Sequence, residues 1–387
     1  MSTALDNHEA HSILLISFPH QLLHALSALK YYRMRERIQE QAPAIILAWS
    51  FQSSDHVPDS QFRTILDSAI RELPFVTLVF PTLSERRYEL SPFLTLIHRI
   101  GWFRSRFNSF SINAIFFAHD ASADRTAQVL MQSFPEANPI CFGDPPGFLY
   151  PQFNSQHQRN HIKRLIWGSR TRGLTSLRGP TLSIVAIDFQ NNNNTDHGKV
   201  LVLPHRLLVE TLASIQRGLD QIKKDQHVEY NNPEGNADSI NVLLLSNFSE
   251  SGLTSKANEL ALYSDICKQF SSKDARLIIK PHFGTSPAFL KKLTNCLSFY
   301  SPEIFPALAG QIPIEFFPEL VKKSNIISVS SSSALLSHIY EKQISHALTA
   351  KRIQQYFKAD RINYMLEANQ AIEKSLCAVM DRAHGAA

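Results

Sequence analysis

The segment RLIIKPHFGTSP, residues 276–287, decides the predicted fold. Its apolar start, residues 277–279, has the length and composition of a buried strand. Pro281 has no N–H group to donate to a neighbouring strand, and the Gly-Thr-Ser-Pro sequence that follows is typical of a turn before a helix. We therefore expect Lys280 and His282 to lie at the carboxyl end of a strand, where open α/β sheets bind their ligands.

A run of serines marks a second strand end farther along the chain. The apolar residues 325–329 predict another strand, and a helix is predicted from Ala334 onward. A helix N-terminus offers unpaired backbone N–H groups and the positive end of the helix dipole, so it attracts anions. Because both polar strand ends belong to one sheet, we expect a phosphate-bearing ligand there. The candidate ligand contacts in this corner are Ser331, Ser332 and Ser333.

Composition sets the broad class of the protein. The chain has 387 residues, enough for two or three domains of ordinary size, and its 44% of hydrophobic residues is typical of folded cores. A formal net charge of +5 makes it mildly basic, without the basic-aromatic clustering of nucleic-acid binders. We therefore expect no nucleic-acid partner, while an anionic partner or peripheral contact with an anionic membrane stays open.

The cysteines and the chain start indicate the compartment. The four cysteines are far apart in the sequence and lack the spacing of a metal site, so they are interpreted as reduced thiols. The N-terminus has neither a basic region nor an apolar core of the secretory type, and no apolar run approaches transmembrane length. A cytoplasmic location is expected, with peripheral association at the inner membrane as the alternative.

Apolar strand-like runs alternate with helix-like segments throughout the chain, which is typical of α/β domains. The polar residues 227–238, which contain a proline and a glycine, are interpreted as a linker. The predicted organisation is an N-terminal Rossmann-like domain with its connector (1–235), a C-terminal Rossmann-like domain (236–350) and a C-terminal helical segment (351–387). With a cleft between the two domains, this is the shape of a GT-B glycosyltransferase.

The first half carries the candidate acids and bases. Asp144 follows a predicted strand inside the sequence Gly-Asp-Pro-Pro-Gly, and such a rigid loop can hold a general base. Asp120 lies at another strand end and is the alternative base, while His20 follows the first strand. Each could also be an ordinary turn residue. The basic residues 159–178 favour either a solvated connector or a track for a polyanionic acceptor.

The ordered motifs resemble those of bacterial sialyltransferases. Lys280-Pro281-His282 resembles their His-Pro motif, although here the proline precedes the histidine, and the serine run resembles their Ser-Ser/Thr motif. Gly143-Asp144 with Gly147 resembles their acidic-Gly loop, with one acid in place of two. Order and spacing are similar to those of the polysialyltransferases and the lipooligosaccharide sialyltransferases. Further likenesses are Ser17–His20, Leu245–Asn247, Ser249-Glu250, Glu259, Tyr263, Ile312–Glu315 and Tyr150.

This resemblance implies an inverting, metal-independent GT-B enzyme of capsule or lipooligosaccharide biosynthesis, with no cofactor and CMP-sialic acid as its donor. The second domain would bind CMP, with His282 donating to the phosphate and the serines binding phosphate or the donor carboxylate. Glu315 would accept bonds from the ribose or cytosine, unless it only complements a helix dipole. Lys280 and the pair Asn247 and Ser249 would be further donor contacts.

Roles in the first domain also follow from the resemblance. Asp144 would remove the proton from a hydroxyl of a cell-surface glycan acceptor, and His20 and Asp120 would lie on the acceptor side. No Asp-x-Asp pair, which metal-dependent transferases use, occurs in the sequence. Three alternatives stay open: a donor with another CMP-ulosonic acid such as a Kdo-like sugar, a different nucleotide sugar, and a nucleotide- or glycan-binding protein without catalysis.

Overall fold

The computed structural model describes residues 10–49, 59–81, 92–118, 125–143, 180–187, 199–225, 240–272 and 274–385. These residues fall into two compact units. The first is drawn from Met1–Phe51, Leu73–Ala186 and Gln190–Thr211, and the second from Gln52–Glu72, Ile187–Phe189 and Leu212–Ala387. The predicted domain limits at residues 235 and 350 stay predictions.

The first unit is built on a seven-stranded parallel sheet with the strand order β3-β2-β1-β4-β5-β6-β7. The central strands are apolar because both faces of a parallel sheet are covered, and all five residues of β2 are buried. From β1 the chain moves outward to β3 and then returns beside β1 as β4. The strands are β1 (Ala10–Ile16), β2 (Ala44–Ala48), β3 (Val76–Val79), β4 (Ser111–Ala118), β5 (Asn138–Gly143), β6 (Leu182–Val185) and β7 (Lys199–Val202).

Among the described residues, three helices belong to this unit: α1 (Gln21–Glu36), α3 (Pro92–Arg106) and α4 (Arg125–Ser133). α1 follows β1 after a short turn, and its apolar stripe of Leu22, Leu26 and Leu29 is buried. It ends at Arg37, which adopts the left-handed backbone conformation with φ 56°. The apolar run at residues 13–17 and the leucines at helical spacing after it predict a strand, a turn and a helix, and the structure contains all three.

The second unit contains a five-stranded parallel sheet with the order β10-β9-β8-β11-β12. The chain again starts at a central strand, moves outward to one edge, and then returns to the other side of that strand. The switch point lies between β8 and β11, which is where such sheets bind ligands at their carboxyl ends. The strands are β8 (Ile240–Leu244), β9 (Arg276–Lys280), β10 (Glu303–Ile304), β11 (Asn325–Ser328) and β12 (Ser345–His346).

Helices surround this second sheet. Within α5, Gly218 lies against α2, where an added Cβ would come within 2.3 Å of the carbonyl oxygen of Ser68, so only glycine permits this approach. The helices are α2 (Asp59–Ala69), α5 (His205–Asp225), α6 (Lys256–Phe270), α7 (Pro287–Cys296), α8 (Ala307–Gln311), α9 (Pro318–Lys323), α10 (Ser332–Tyr340), α11 (Ala350–Tyr356) and α12 (Ile362–Gly385). Short 3₁₀ turns occupy Ser298–Tyr300, Ile314–Phe316 and Ala359–Arg361.

The apolar core of the second unit joins the sheet to its helices. Leu243, Leu277 and Ile327 from three adjacent strands pack with Tyr263 of α6 and with Met365 of α12. The C-terminal helices thus form part of this core. Arg352 of α11 is also buried and makes an ion pair with Asp265 of α6, in which Nε lies 2.9 Å from Oδ2.

The predicted α/β class, with two parallel-sheet domains of Rossmann type and a helical C-terminus, is confirmed. Pro313, typical of the first position of a helix, predicts one helix over residues 314–323, and this prediction is wrong in detail. These residues form a 3₁₀ turn and then α9, because Pro318 cannot continue a helix and instead starts a new one. The short elements β10 and α8 were not predicted. No helix among the described residues combines the length and the apolar character that crossing a bilayer would require.

Candidate functional site

Three strand ends meet at the carboxyl edge of the second sheet. β8, β9 and β11 are neighbours in the sheet, with β8 in the centre. Since adjacent strands lie about 4.8 Å apart, the segments that follow β9 and β11 are roughly 10 Å apart. A phosphate with its attached sugar or ribose can span this distance. The sequence therefore brings the segments that begin at Leu245, Pro281 and Val329 to one edge.

His282 lies in the turn directly after β9. Its Nδ1 accepts a hydrogen bond from the N–H of Gly284 at 3.2 Å, and its ring packs against Phe283 with the centroids 4.0 Å apart. Because Nδ1 acts as an acceptor, the neutral ring carries its proton on Nε2. The turn therefore fixes both the orientation and the tautomer of the imidazole, and it makes Nε2 a hydrogen-bond donor.

Asn247 reaches the same turn from the neighbouring strand end. A Cβ added at Gly284 would come within 2.6 Å of Asn247 Nδ2 and within 3.5 Å of His282 Nδ1. The glycine therefore leaves room for the amide of Asn247 beside the turn that carries His282. This juxtaposition groups two of the predicted donor contacts, which come from positions far apart in the sequence.

A buried carboxylate holds the loop that carries Asn247. The two oxygens of Glu259, in the first turn of α6, accept the backbone N–H groups of Phe248 at 3.2 Å and Ser249 at 2.9 Å. Burial raises the pKa of Glu259, while these hydrogen bonds act in the opposite direction. The hydroxyl of Tyr263 accepts the N–H of Ser246 at 2.7 Å. The loop is therefore fixed from below by side chains of α6.

The serine segment after β11 forms a tight turn into α10. Ser330 N–H donates to Ser328 Oγ at 3.3 Å, and Ser330 Oγ donates to Ser332 Oγ at 3.2 Å. Ser331 caps the helix without a side-chain bond of its own. Within the part of the chain that the structure describes, the N–H groups of Ser331 and Ser332 donate to no acceptor. Two half-buried backbone donors at a helix N-terminus suit an anion.

Ser333, the third predicted contact, points into the protein. It is fully buried, its N–H donates to the carbonyl of Ser330 at 3.2 Å, and its hydroxyl lies 2.8 Å from the same oxygen and 3.1 Å from His346 Nδ1. The structure therefore separates the run of serines into two residues with available N–H groups and one that supports the turn.

Lys280 and Glu315 form a buried pair beside the His282 turn. Both side chains are at least 90% inaccessible to solvent, and Lys280 Nζ donates to the carbonyl of Gly310 at 2.5 Å. Burial lowers the pKa of Lys280 to about 7 and raises that of Glu315 to about 7, and the attraction between the two groups opposes both shifts. Both predicted donor contacts thus lie beneath the surface of this edge.

The position of Glu315 is set by two other helices. Its backbone carbonyl accepts hydrogen bonds from the hydroxyl of Tyr340 at 2.5 Å and from Gln216 Nε2 at 3.3 Å. Burial raises the pKa of Tyr340, with the charge of Glu315 as a second cause. The 3₁₀ turn that carries Glu315 is therefore held between α5 and α10.

In the first unit the structure places His20 at the start of α1. It is exposed, and its ring stacks on Phe18 with the centroids 5.6 Å apart. Gln21 Oε1 accepts the N–H groups of Ser17 and Phe18 and so fixes the turn. The two candidate bases, Asp120 and Asp144, lie outside the described residues, as do the basic residues 159–178.

Several supporting residues were missed by sequence reasoning. These residues form hydrogen bonds between elements that are distant in sequence, and no local sequence pattern marks them. They are His346, Asn369, Gln216 and Tyr340. As for metals, the described residues contain no group of three or more His, Cys, Asp and Glu side chains arranged as ligands. The chemistry that the edge offers is therefore hydrogen-bond donation from an imidazole, an amide and two backbone N–H groups.

Comparison with solved structures shows the fold. UDP-GlcNAc 2-epimerase from Neisseria meningitidis, solved with UDP-GlcNAc, matches with a TM-score of 0.52 at 12% identity, over 95% of this chain and 94% of that chain. S. aureus MnaA, solved with UDP, matches with a TM-score of 0.50 at 10% identity, over 96% of this chain and 90% of that chain. No family model and no curated protein matches the sequence. The likeness establishes a two-domain, GT-B-type α/β fold.

Proposed function

We propose that this protein is a GT-B-type glycosyltransferase that takes its sugar from a nucleotide-sugar donor. The donor phosphate would bind at the carboxyl edge of the second sheet. The motif resemblance favours CMP-sialic acid as that donor and a hydroxyl of a cell-surface glycan as the acceptor. The similarity in fold to enzymes solved with UDP-GlcNAc or UDP supports the broader part of the proposal, the use of a nucleotide sugar.

The observation that carries the proposal is the convergence of donors at one sheet edge. His282 carries its proton on Nε2, Asn247 approaches it from the adjacent strand end, and Ser331 and Ser332 present backbone N–H groups across β8. These groups come from three strand ends at a topological switch point, which is the usual ligand position in such sheets. Hydrogen-bond donors that are already oriented suit a group that gains negative charge.

This arrangement fits the leaving group of sialyl transfer. As the bond between the sugar and CMP breaks, negative charge builds on the phosphate and positive charge on the sugar ring. Donors fixed before the reaction stabilise that phosphate without reorganising. In this mechanism His282 Nε2–H donates to a departing phosphate oxygen, and the N–H groups of Ser331 and Ser332 bind another. No metal ion is required to neutralise the leaving group.

The acceptor hydroxyl must lose its proton as it attacks the sugar from the opposite face. We assign this step to Asp144, with Asp120 as the alternative, and place His20 beside the acceptor. Direct displacement by the hydroxyl inverts the anomeric centre.

On the donor side, Ser249 and Asn247 share the loop that α6 holds. Lys280, Glu315 and Ser333 complete the predicted donor site, and their burial gives them a role beneath its surface.

A UDP-sugar epimerase is the second candidate. The UDP-GlcNAc 2-epimerase from Neisseria meningitidis shares this fold over 94% of its length, and S. aureus MnaA, solved with UDP, shares it over 90%. An epimerase would use the same edge for a nucleoside diphosphate and would need no glycan acceptor. The two candidates therefore differ in the nucleotide that binds best. A CMP-linked ulosonic acid other than sialic acid would give the same nucleotide preference as the first proposal and differ only in the sugar pocket.

The test is calorimetric titration with CMP, CDP, UDP and GDP, without and with Mg²⁺. CMP should bind in preference to UDP and without the metal. Preference for UDP would overturn CMP-sialic acid as the donor and leave a transferase with a UDP-sugar donor or the epimerase, of which only the transferase requires an acceptor. The matched variants are His282→Asn, which keeps an acceptor for the Gly284 N–H but has no group in place of Nε2, and His282→Gln, which retains a donor there. Loss of a hydrogen bond to a charged phosphate should weaken binding by about 10- to 100-fold in the asparagine variant alone.

Turnover separates an enzyme from a binding protein. With CMP-sialic acid and a glycan acceptor, Asp144→Asn should abolish transfer and leave the affinity for CMP unchanged, because the general base does not touch the nucleotide. Asp120→Asn is the parallel variant that identifies the base. Transfer that survives both substitutions would refute the assignment of the base, and wild-type protein that binds CMP without any turnover would indicate the non-catalytic alternative.

A further inference from the structure

A chain of polar side chains runs from the serine turn to the C-terminal helix. Ser333 Oγ lies 3.1 Å from His346 Nδ1, His346 Nε2 lies 2.8 Å from Asn369 Oδ1, and Asn369 Nδ2 donates to Glu373 Oε1 at 2.8 Å. Ser333 and Asn369 are buried and His346 is half-buried. A continuous series of hydrogen bonds thus connects four residues from α10, β12 and α12.

The direction of these hydrogen bonds is fixed at one end. The carboxylate of Glu373 can only accept, so Asn369 faces it with Nδ2 and turns Oδ1 toward His346. His346 Nε2 must therefore carry a proton, and in the neutral ring Nδ1 is then an acceptor. Nδ1 can therefore accept a hydrogen bond from the hydroxyl of Ser333. α12 thereby determines the tautomer of His346 and the rotation of a hydroxyl two positions after Ser331.

The hydroxyl of Ser333 has a second acceptor, the carbonyl of Ser330 at 2.8 Å. One hydrogen cannot serve both acceptors fully. With His346 neutral, the hydroxyl hydrogen is drawn toward the imidazole. When Nδ1 gains a proton, it donates to Ser333 Oγ, whose hydrogen then turns to Ser330. The protonation of His346 therefore decides whether the Ser333 hydroxyl donates its hydrogen bond to the Ser330 carbonyl, which lies at the start of the serine turn.

We propose that His346 is a positioning residue for the phosphate subsite: through Ser333 it sets the serine turn in which the N–H groups of Ser331 and Ser332 face the ligand. The identity of the ligand in this inference rests on the proposed function. The connection from His346 through Ser333 to the serine turn rests only on the described geometry. It assigns to Ser333 a supporting role in place of direct contact.

Two substitutions at His346 separate the two sides of the imidazole. His346→Asn keeps an oxygen near the position of Nδ1, so it still accepts the Ser333 hydroxyl and loses the bond to Asn369. His346→Gln keeps a donor near the position of Nε2, so it retains Asn369 and loses Ser333. Ser333→Ala removes the hydroxyl itself. Ser337→Ala is the control, because Ser337 is equally buried on the same helix one turn farther from the serine turn.

The first readout compares CMP with cytidine, which lacks the phosphate. Ser333→Ala and His346→Gln should weaken CMP binding by about 3- to 10-fold, the effect of one net hydrogen bond, with cytidine binding unchanged. His346→Asn and Ser337→Ala should keep the wild-type affinity for both ligands. Equal losses in the two His346 variants, or parallel losses for CMP and cytidine, would overturn the proposal.

A second readout needs no nucleotide. In ligand-free protein labelled with ¹⁵N-serine, the amide signals of Ser331 and Ser332 should shift along the titration curve of His346 and should no longer follow it in Ser333→Ala. Burial lowers the pKa of His346, while the hydrogen bond to Asn369 and the charge of Glu373 on α12 act in the opposite direction. If the wild type binds no nucleotide, the proposed function fails and these signals still decide the role of His346. If the amide signals of Ser331 and Ser332 do not shift as His346 titrates, the positioning role of His346 is refuted.

Discussion

The corner between Gly284 and Asn247 shows how closely the site depends on single residues. An alanine Cβ at position 284 would overlap the amide nitrogen of Asn247, 2.6 Å away. That amide is the far end of a flexible side chain, so it can move aside without displacing backbone. The substitution should therefore displace the side chain of Asn247 and leave the sheet intact.

We accordingly predict that Gly284→Ala preserves the fold and weakens the nucleotide site. The midpoint of thermal unfolding should stay within about 2 °C of wild type, while CMP affinity should fall by about 5-fold or more as one hydrogen bond is lost. Calorimetric titration alongside thermal unfolding measures both quantities. Gly101→Ala is the control, because a Cβ there meets nothing within 4 Å. A large drop in unfolding temperature with unchanged affinity would contradict this account of the corner.

At the scale of elements, Lys280 at the end of β9 and Glu315 in the 3₁₀ turn Ile314–Phe316 are two buried groups of opposite charge that attract each other. In the folded protein both groups have a pKa of about 7, against ordinary values of 10.5 and 4.5. Between pH 4.5 and 7 the folded state retains a proton on Glu315 that the unfolded state has released, so stability falls as the pH rises. Between pH 7 and 10.5 the unfolded state retains a proton on Lys280 that the folded state has released, so stability rises again.

The prediction is that Glu315→Gln removes the fall on the acidic side. In wild type this group should contribute a slope of up to about 1.4 kcal/mol per pH unit to the free energy of unfolding, for one proton. Denaturant titrations at several pH values between 4.5 and 7 measure it as the difference between the two proteins. Lys280→Met is the counterpart and should remove the rise above pH 7 instead. Parallel curves for wild type and Glu315→Gln would show that Glu315 is ionised throughout.

Long apolar runs made most elements predictable from sequence, whereas short and tertiary elements were not. β8 and α7 were located from periodicity and from Pro287, which begins its helix. β10 has only two residues, both exposed, and is ordered by its pairing with β9, so no local pattern marks it. The break before Pro318 was missed because the apolar spacing continues across it.

The candidate site was predictable in part for the same reason. Strand ends are visible in the sequence, so His282 and the serine turn could be placed at one sheet edge. The inward serine, Ser333, contacts His346, which in turn contacts Asn369, and these contacts join residues that are distant in sequence. Burial of Lys280 and Glu315 likewise depends on neighbours from other elements, and no property of either segment alone shows it.

At the scale of the whole molecule, the two parallel sheets share a design in which the chain starts at a central strand and reverses beside it. Each sheet therefore has a switch point at its carboxyl edge. In the second sheet this edge carries hydrogen-bond donors from three strand ends. In the first, the described part carries the exposed His20 next to Phe18. This difference favours the proposal that the nucleotide binds at the second sheet and the acceptor at the first.

The last prediction follows from this assignment and is tested by hydrogen exchange with and without CMP. At a CMP concentration of 100 times Kd, amides whose exchange requires disruption of the site should slow by about 100-fold. The protected peptides should cover the segments after β8, β9 and β11 and include Ser331 and Ser332, whose N–H groups gain an acceptor. Peptides from β1 to β5 of the first sheet should exchange as before, and UDP at the same concentration should give weaker protection. Protection confined to the first sheet would place the nucleotide there and would refute the division of roles between the two sheets.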